Sequence, residues 1–340
     1  MSGNREVILK IRDLYVNFYT YAGVVKAING VSLDVYEGEV LGLVGETGCG
    51  KTVTSRAITR LIPSPGRIEK GEIWYRKDGK WIDLLKLDDD ELRKIRGDEI
   101  SYIFQDPSSA LDPLYTSGYQ IAETMVVHDR AEWDEAWKKA VELLKETLIP
   151  DAESRVRNYP HELSGGMKQR VVISIALSND PRILIADEPT TNVDVTIQAE
   201  LIDLLKELQK KKGTTIILIT HNMGLIAEMS DRVAVMYAGN VVEIADVWTI
   251  FEDPLHPYTR GLLACVPDPL KRIERLEPIP GTIPNLIYPP PGCRFHPRCA
   301  HAMDICKKKR PPRVEVSSGH FVECWLYVSK EERRGVEESD

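Results

Sequence analysis

The stretch Gly45-Glu46-Thr47-Gly48-Cys49-Gly50-Lys51-Thr52 fits the spacing G-x-x-x-x-G-K-[ST]. Glycines at these places let backbone N–H groups fold inward around phosphate oxygens, at the positive end of the helix expected to start near Lys51. Lys51 then reaches the β- and γ-phosphates of a nucleotide and Thr52 holds Mg²⁺, with Glu46, Thr47, Gly48, Cys49 and Val53 completing the cradle. A glycine-rich turn that binds nothing is the bland alternative. It is disfavoured because an apolar run, Val40 to Val44, precedes the loop as a buried strand would.

Asp187-Glu188 closes another apolar run, Ile183-Leu184-Ile185-Ala186. Acids often end strands, so the pair alone says little. Placed after a phosphate loop it is the expected companion: Asp187 orients Mg²⁺, and Glu188 polarises the attacking water. Gln105 and His221 end two further runs, Ile100 to Phe104 and Thr215 to Ile219. A lone histidine is more often structural, but polar groups at several strand ends facing one crevice follow the general logic of α/β sites. Gln105 is assigned to Mg²⁺ and catalysis, and His221 to the γ-phosphate.

Four of the six cysteines, Cys293, Cys299, Cys306 and Cys324, crowd into the last fifty residues. Structural disulfides are not expected in a cytosolic chain, so the cluster reads as a metal site. Structural zinc favours tight C-x₂₋₄-C pairs, whereas the spacings here are C-x5-C, C-x6-C and C-x17-C. Wide, uneven spacing is compatible with the four corners of a [4Fe–4S] cube, and four thiolates suit zinc as well.

The elements that must position these groups are alternating strands and helices. Residues 6–36 read as strands at Val7 to Ile11, Val24 to Ile28 and Val31 to Val35, with the aromatics Tyr15, Phe18, Tyr19 and Tyr21 between them. One of these could stack on a purine ring, Phe18 first and Tyr19 second. The helix after Lys51 is expected to end near Pro63. Residues 71–85 read as a hairpin turning at Lys77-Asp78-Gly79, and Asp88 to Glu91 has capping-box spacing. Residues 117–158 are helical by pattern, and a glycine pair at Gly165-Gly166 opens another apolar helix. A last hairpin is expected around Ala238-Gly239. Prolines from Pro267 to Pro291 mark a stiff segment and a boundary near Val266. The expected domains are 1–265 for nucleotide binding, with a helical part at 106–165, then 266–330 carrying the cysteines, then a charged tail at 331–340.

Taken in order, Gly45 to Thr52, Gln105, Leu163-Ser164-Gly165-Gly166-Met167, Asp187-Glu188, Asp194 and His221 resemble the motifs of the ABC ATPases. The resemblance covers residues 6–250. It implies an α/β fold: a P-loop core with a mostly parallel sheet, an antiparallel β subdomain and a helical subdomain, followed by a small proline-rich, cysteine-containing C-terminal domain. It implies ATP as the nucleotide and two ATPs sandwiched in a head-to-tail dimer. Ser164, Gly165 and Gly166 then act on the ATP held by the other subunit, an assignment that suits an outward-facing helix start with free N–H donors. Asp194 takes the part of the D-loop aspartate, although Asn192 departs from the small apolar residue usual in the family.

His256-Pro257-Tyr258-Thr259-Arg260-Gly261-Leu262-Leu263 and Gly292 to Cys299 with Cys306 are similar to segments of ATP-binding subunits of dipeptide and oligopeptide permeases. That narrower resemblance implies a [4Fe–4S] cluster at the four cysteines, with zinc as the second choice and free thiols as the third. It also implies a distinct second ATPase subunit, two transmembrane permease subunits and an extracellular substrate-binding protein. Relatives with such a tail also carry oligosaccharides or nickel chelates. A soluble ABC ATPase is the competing class. Its DNA-repair members have long coiled coils, its ribosomal members have two cassettes per chain, and neither feature occurs here.

The bulk properties agree. The 340 residues are 43% hydrophobic and 28% charged, ordinary for a globular chain. A net charge of −8 argues against nonspecific nucleic-acid binding. No h-region follows Met1, and no apolar window reaches the ~18 residues of a membrane span. The expected location is the cytoplasmic face of the cell membrane, reached through partners.

Overall fold

The computed structural model describes residues 5–190, 195–266 and 278–337. Among these, twelve strands follow in order: β1 Val7–Thr20, β2 Gly23–Tyr36, β3 Val40–Val44, β4 Gly66–Lys77, β5 Lys80–Asp83, β6 Ile100–Ile103, β7 Ile183–Asp187, β8 Thr215–Ile219, β9 Arg232–Tyr237, β10 Asn240–Asp246, β11 Arg313–Ser317 and β12 His320–Glu323. The chain divides into two compact units. One comprises Met1–Val7, Tyr36–Val40 and Lys86–Ile219; the other comprises Ile8–Val35, Leu41–Leu85 and Thr220–Asp340.

In the first unit β6, β7 and β8 run parallel, with Ile100 opposite Ile183 and Ile183 opposite Thr215. Every residue of β7 and β8 is buried. Strands covered on both faces lose the polar alternation of a half-exposed strand, so these sequences are continuous runs of β-branched and aliphatic residues. Three helices, Ser117–Val127, Trp133–Glu146 and Gly165–Leu177, pack around this unit's core. The second buries Ala136, Ala140, Leu143 and Leu144, the i, i+4, i+7, i+8 stripe of an amphipathic helix. Between the second and third, the Thr147 and Ser174 hydroxyls meet at 3.0 Å.

In the second unit one sheet has the order β2-β1-β4-β5. β3 runs parallel to β9, β9 pairs antiparallel with β10, β10 with β12, and β12 with β11. The capping box at Asp88, in the first unit, forms as the spacing predicts. So does the β4–β5 turn, where Asp78 and Gly79 both have positive φ, as a tight hairpin requires.

Several local expectations are corrected. The three short strands before residue 36 are two strands of 14 residues each. Asp13 (φ 47) sits in a register shift of β1, and Gly30 (φ 72) lies within β2 without ending it. Phe18 and Tyr19 therefore belong to β1. The helix from Lys51 ends at Ile58, because Arg60 turns into the left-handed region (φ 53) before Pro63 is reached. The hairpin begins at Gly66, not residue 71. β11 and β12 were not legible at all: they are short, mostly polar, and gain their place by pairing with β10. No helix among the described residues is long and apolar enough to cross a membrane.

Candidate functional site

The candidate residues are divided between the two units. In the second unit, β3 ends at Val44 and the glycine-rich loop follows. Gly45 has φ 150, and a Cβ there would lie 2.2 Å from the Met236 carbonyl oxygen, so only glycine allows this close approach to the end of β9. Gly50 (φ 107) is the left-handed cap of the helix Lys51–Ile58, where a Cβ would meet the Ile28 side chain at 2.6 Å. Lys51 is buried. Its ammonium donates to the carbonyls of Gly45 (2.7 Å) and Glu46 (3.2 Å) and contacts the Cys49 sulfur at 3.7 Å. Burial pushes the Cys49 thiol up from its ordinary pKa, so it stays protonated beside Lys51. Thr47 and Gly48 are exposed, while Thr52 and Val53 are half-buried on the first turn of the helix.

Glu46 is held from three sides. Its N–H donates to the Tyr258 hydroxyl oxygen at 2.8 Å, and its carbonyl accepts from the Cys49 N–H at 3.2 Å. Its carboxylate is gripped by Arg298, Nη1 to Oε2 at 2.7 Å and Nη2 to Oε1 at 3.1 Å. Sequence reasoning missed Tyr258 and Arg298. The available signals were the helix-start pattern His256-Pro257, in which the His256 side chain accepts from the Tyr258 N–H and proline takes the first helical position, and an arginine lying between two of the clustered cysteines.

His221 lies in this unit, exposed, just before Asn222, which caps the helix Met223–Met229. On β1, Phe18 is half-buried opposite Gly66. Tyr19 is 44% exposed; its hydroxyl donates to Glu69 at 2.9 Å, and the Arg67 guanidinium lies 5.4 Å from its ring.

In the first unit β7 delivers the two acids to different partners. Asp187 is buried and accepts from the Tyr102 hydroxyl at 2.8 Å. Glu188 has φ 49, and its N–H donates to the Ile219 carbonyl at 2.8 Å. A left-handed conformation costs a non-glycine residue about 1–2 kcal/mol. Here it turns Glu188 away from Asp187 and toward Gln105, whose amide donates to the Glu188 carboxylate at 2.8 Å. Tyr102 was not singled out in the sequence, because a tyrosine within an apolar run reads as core. Ser164 caps the helix Gly165–Leu177, accepting from the Met167 N–H at 3.3 Å, and Ser164 and Gly165 are exposed. Asp194 lies outside the described residues.

Near the C-terminus, Cys306 packs with Ile305, Trp325 and Val328, and Cys293 leans on the same cluster. Burial pushes the Cys293 thiol up to about 11 and Cys324 up to about 12, and Cys299 is also raised; each is raised further by neighbouring cysteines. The four sulfurs therefore stand within electrostatic reach of one another. Yet among the described residues no three or more His, Cys, Asp or Glu side chains are grouped closely enough to hold a metal ion. The expected metal centre is thus not found as a ready-made site. The expectation came from spacing along the chain, whereas a single ion needs donors converging on one point.

Residues 28–191 match the family described as ABC transporter, and residues 242–306 match the family described as Oligopeptide/dipeptide transporter, C-terminal region. The dipeptide transport ATP-binding protein DppD of Bacillus subtilis is 46% identical over 96% of this chain and 97% of its own length. The oligopeptide transport ATP-binding protein OppD of the same organism is 50% identical over 94% of this chain and 88% of its own. Among solved structures, the ATP-binding cassette MJ0796 in a dimeric post-hydrolysis state bound to ADP and Pi is 29% identical, with a TM-score of 0.63, over 71% of this chain and 99% of that one.

Proposed function

The chain belongs to the ABC transporter ATP-binding subunits that carry the oligopeptide/dipeptide transporter C-terminal region, and on that premise we propose how its residues divide the work. It is an ATPase whose hydrolysis serves a peptide import system, working with permease subunits and as a dimer of cassettes. Lys51 and the loop N–H groups hold the β- and γ-phosphates of ATP. Thr52, Gln105 and Asp187 would hold Mg²⁺; each offers a side-chain oxygen, the ligand a hard cation prefers. When bound, the ion neutralises charge developing on the phosphate oxygens.

Glu188 accepts a hydrogen bond from the attacking water and aligns it on the γ-phosphorus. Gln105 holds that carboxylate in place, and His221 contacts the γ-phosphate. Ser164, Gly165 and Gly166, with Asp194, serve the ATP of the partnering cassette. Tyr19 is assigned to adenine in preference to Phe18, since its ring is the more exposed of the two. The observation that carries the hydrolytic part is the 2.8 Å bond between Gln105 and Glu188.

The substrates are dipeptides or oligopeptides, by analogy with the relatives. The partners are a distinct second ATPase subunit, two transmembrane permease subunits and an extracellular substrate-binding protein, with the chain peripheral on the cytoplasmic face. The helical segment 106–165 offers a docking face: Tyr115, Tyr119 and Trp133 stack in a row at 4.7 and 5.1 Å, beside Leu114, which is 78% exposed. Cys293, Cys299, Cys306 and Cys324 take a [4Fe–4S] cluster in preference to zinc. What supports this reading is that the four thiols lie within electrostatic reach of one another, with Cys306 and Cys293 against an apolar wall. Held there, such a cluster would supply a structural clamp for a short domain.

The test is reconstitution in proteoliposomes with the multispanning products of the neighbouring reading frames, the second ATPase and the binding protein. ATP-dependent uptake of a labelled dipeptide or oligopeptide, lost in Lys51→Ala, is expected. Full ATPase coupling to a non-peptide cargo, with peptides ignored, would overturn the substrate reading.

A further inference from the structure

Three of the eight residues from Gly45 to Thr52 are glycines, and all three have positive φ. Such a loop loses more conformational freedom on ordering than one built of other residues. Its affinity for phosphate therefore depends on what holds it before the ligand arrives. Lys51 is held by the loop's own carbonyls, so it cannot anchor the loop to the rest of the fold. Thr47 is exposed. Glu46 is the non-glycine residue of the loop whose carboxylate is gripped by a distant side chain.

That side chain is Arg298, 252 residues away and 4% exposed. It sits in the short turn His296–Arg298, between Cys293 and Cys299, where the His296 N–H donates to the Cys293 carbonyl and the Arg298 N–H to the Phe295 carbonyl. All of its donor nitrogens are engaged. Nε donates to the Pro280 carbonyl at 2.9 Å, Nη1 to Glu46 and to the Tyr237 hydroxyl, and Nη2 to Glu46 and to the Ile279 carbonyl. Tyr237, Tyr258, Phe295 and His256 pack ring against ring around the pair, with centroids 4.6 to 5.6 Å apart. A guanidinium this deeply buried and fully satisfied is held in one geometry. Removing either partner leaves the other charge uncompensated.

We infer that Arg298 is a positioning residue for the phosphate loop: by forking onto Glu46 it preorganises the loop for ATP, so the cysteine-flanked turn is part of the support of the nucleotide site. This rests on the assignment of Gly45 to Thr52 as the ATP loop. The link acts on nucleotide affinity through Glu46 and touches no reacting atom.

The experiment is titration of the purified full-length chain with Mg-ATP and Mg-ADP by calorimetry, with the Tm of the nucleotide-free protein measured alongside. Arg298→Ala should raise Kd for both nucleotides about tenfold, the scale of one lost charge-assisted anchor. Glu46→Ala should do the same, and the double variant should be no weaker than either single one, because both remove one link. Arg298→Lys, which keeps the charge without the fork, should fall between. Wild-type Kd in Arg298→Ala, or additive losses in the double variant, would overturn the inference. Should Arg298→Ala fail to fold, Arg298→Lys and Glu46→Gln complete the same cycle. Lys51→Ala separates the premise: if it binds ATP normally, the loop assignment fails. If it abolishes binding while Arg298→Ala changes nothing, the loop assignment stands and the link alone is wrong.

Discussion

Gln105 holds Glu188: the amide nitrogen of one lies 2.8 Å from the carboxylate of the other, and Glu188 adopts a left-handed backbone to meet it. Strain retained at a strand end is kept in place by surrounding structure and points to use. Here it separates two adjacent acids, leaving Asp187 to Tyr102 and turning Glu188 toward a group that can hold it for work on water.

Glu188→Gln keeps the size of the side chain and removes the carboxylate. Phosphate release should fall by about 10²–10⁴-fold, the usual worth of a positioned general base. Mg-ATP binding measured by titration should persist. A variant that hydrolyses at the wild-type rate removes Glu188 from the chemistry.

Tyr19→Ala should weaken binding of Mg-ATP by about fivefold or more, as loss of base stacking does. Binding of Mg-tripolyphosphate, which has no base, should not change. Phe18→Ala is the comparison. If Phe18→Ala discriminates between the two ligands and Tyr19→Ala does not, the adenine contact belongs to Phe18.

His256 gives a pH dependence of known sign. Burial lowers its pKa from 6.5 to about 3, and its Nδ1 accepts from the Tyr258 N–H at 3.0 Å. Between those values the unfolded chain binds the proton and the folded chain does not. Stability from this group is thus complete above about pH 6.5 and falls as the pH drops toward 3, by up to about 1.4 kcal/mol per pH unit. His256→Asn keeps a capping acceptor and removes the titration. Urea unfolding between pH 7 and 5 should show a shallower loss of stability in the variant; equal slopes would dismiss His256 as the source.

Cys324→Ser should abolish bound iron and acid-labile sulfide in anaerobically purified protein, while the wild type carries both in near-equal amounts, as a [4Fe–4S] cluster demands. Stoichiometric zinc in the wild type, without sulfide, would replace the cluster by a single-ion site.

What the sequence by itself determined is local. The glycine-rich loop, its flanking strand and helix, the acids closing β7, the capping box at Asp88, the helix opening at Gly165-Gly166 and the turn at Asp78-Gly79 were all legible. Each depends on backbone conformations set by a few consecutive residues and on the burial pattern of one element. The long strands β1 and β2 were read as shorter fragments, and only sheet pairing reveals that β1 runs on through a register shift near Asp13 and β2 through Gly30. Tertiary structure alone decided the rest. It paired Gln105 with Glu188, Tyr102 with Asp187, Tyr258 and Arg298 with Glu46, and set β12 beside β10. The four hydrogen-bonded pairs are separated by 83, 85, 212 and 252 positions. Along the chain nothing ties such partners together. Folding alone brings them to one place; where it also buries them, as with Asp187, Tyr258 and Arg298, each polar group must find a hydrogen-bonding partner among whatever the fold has set beside it.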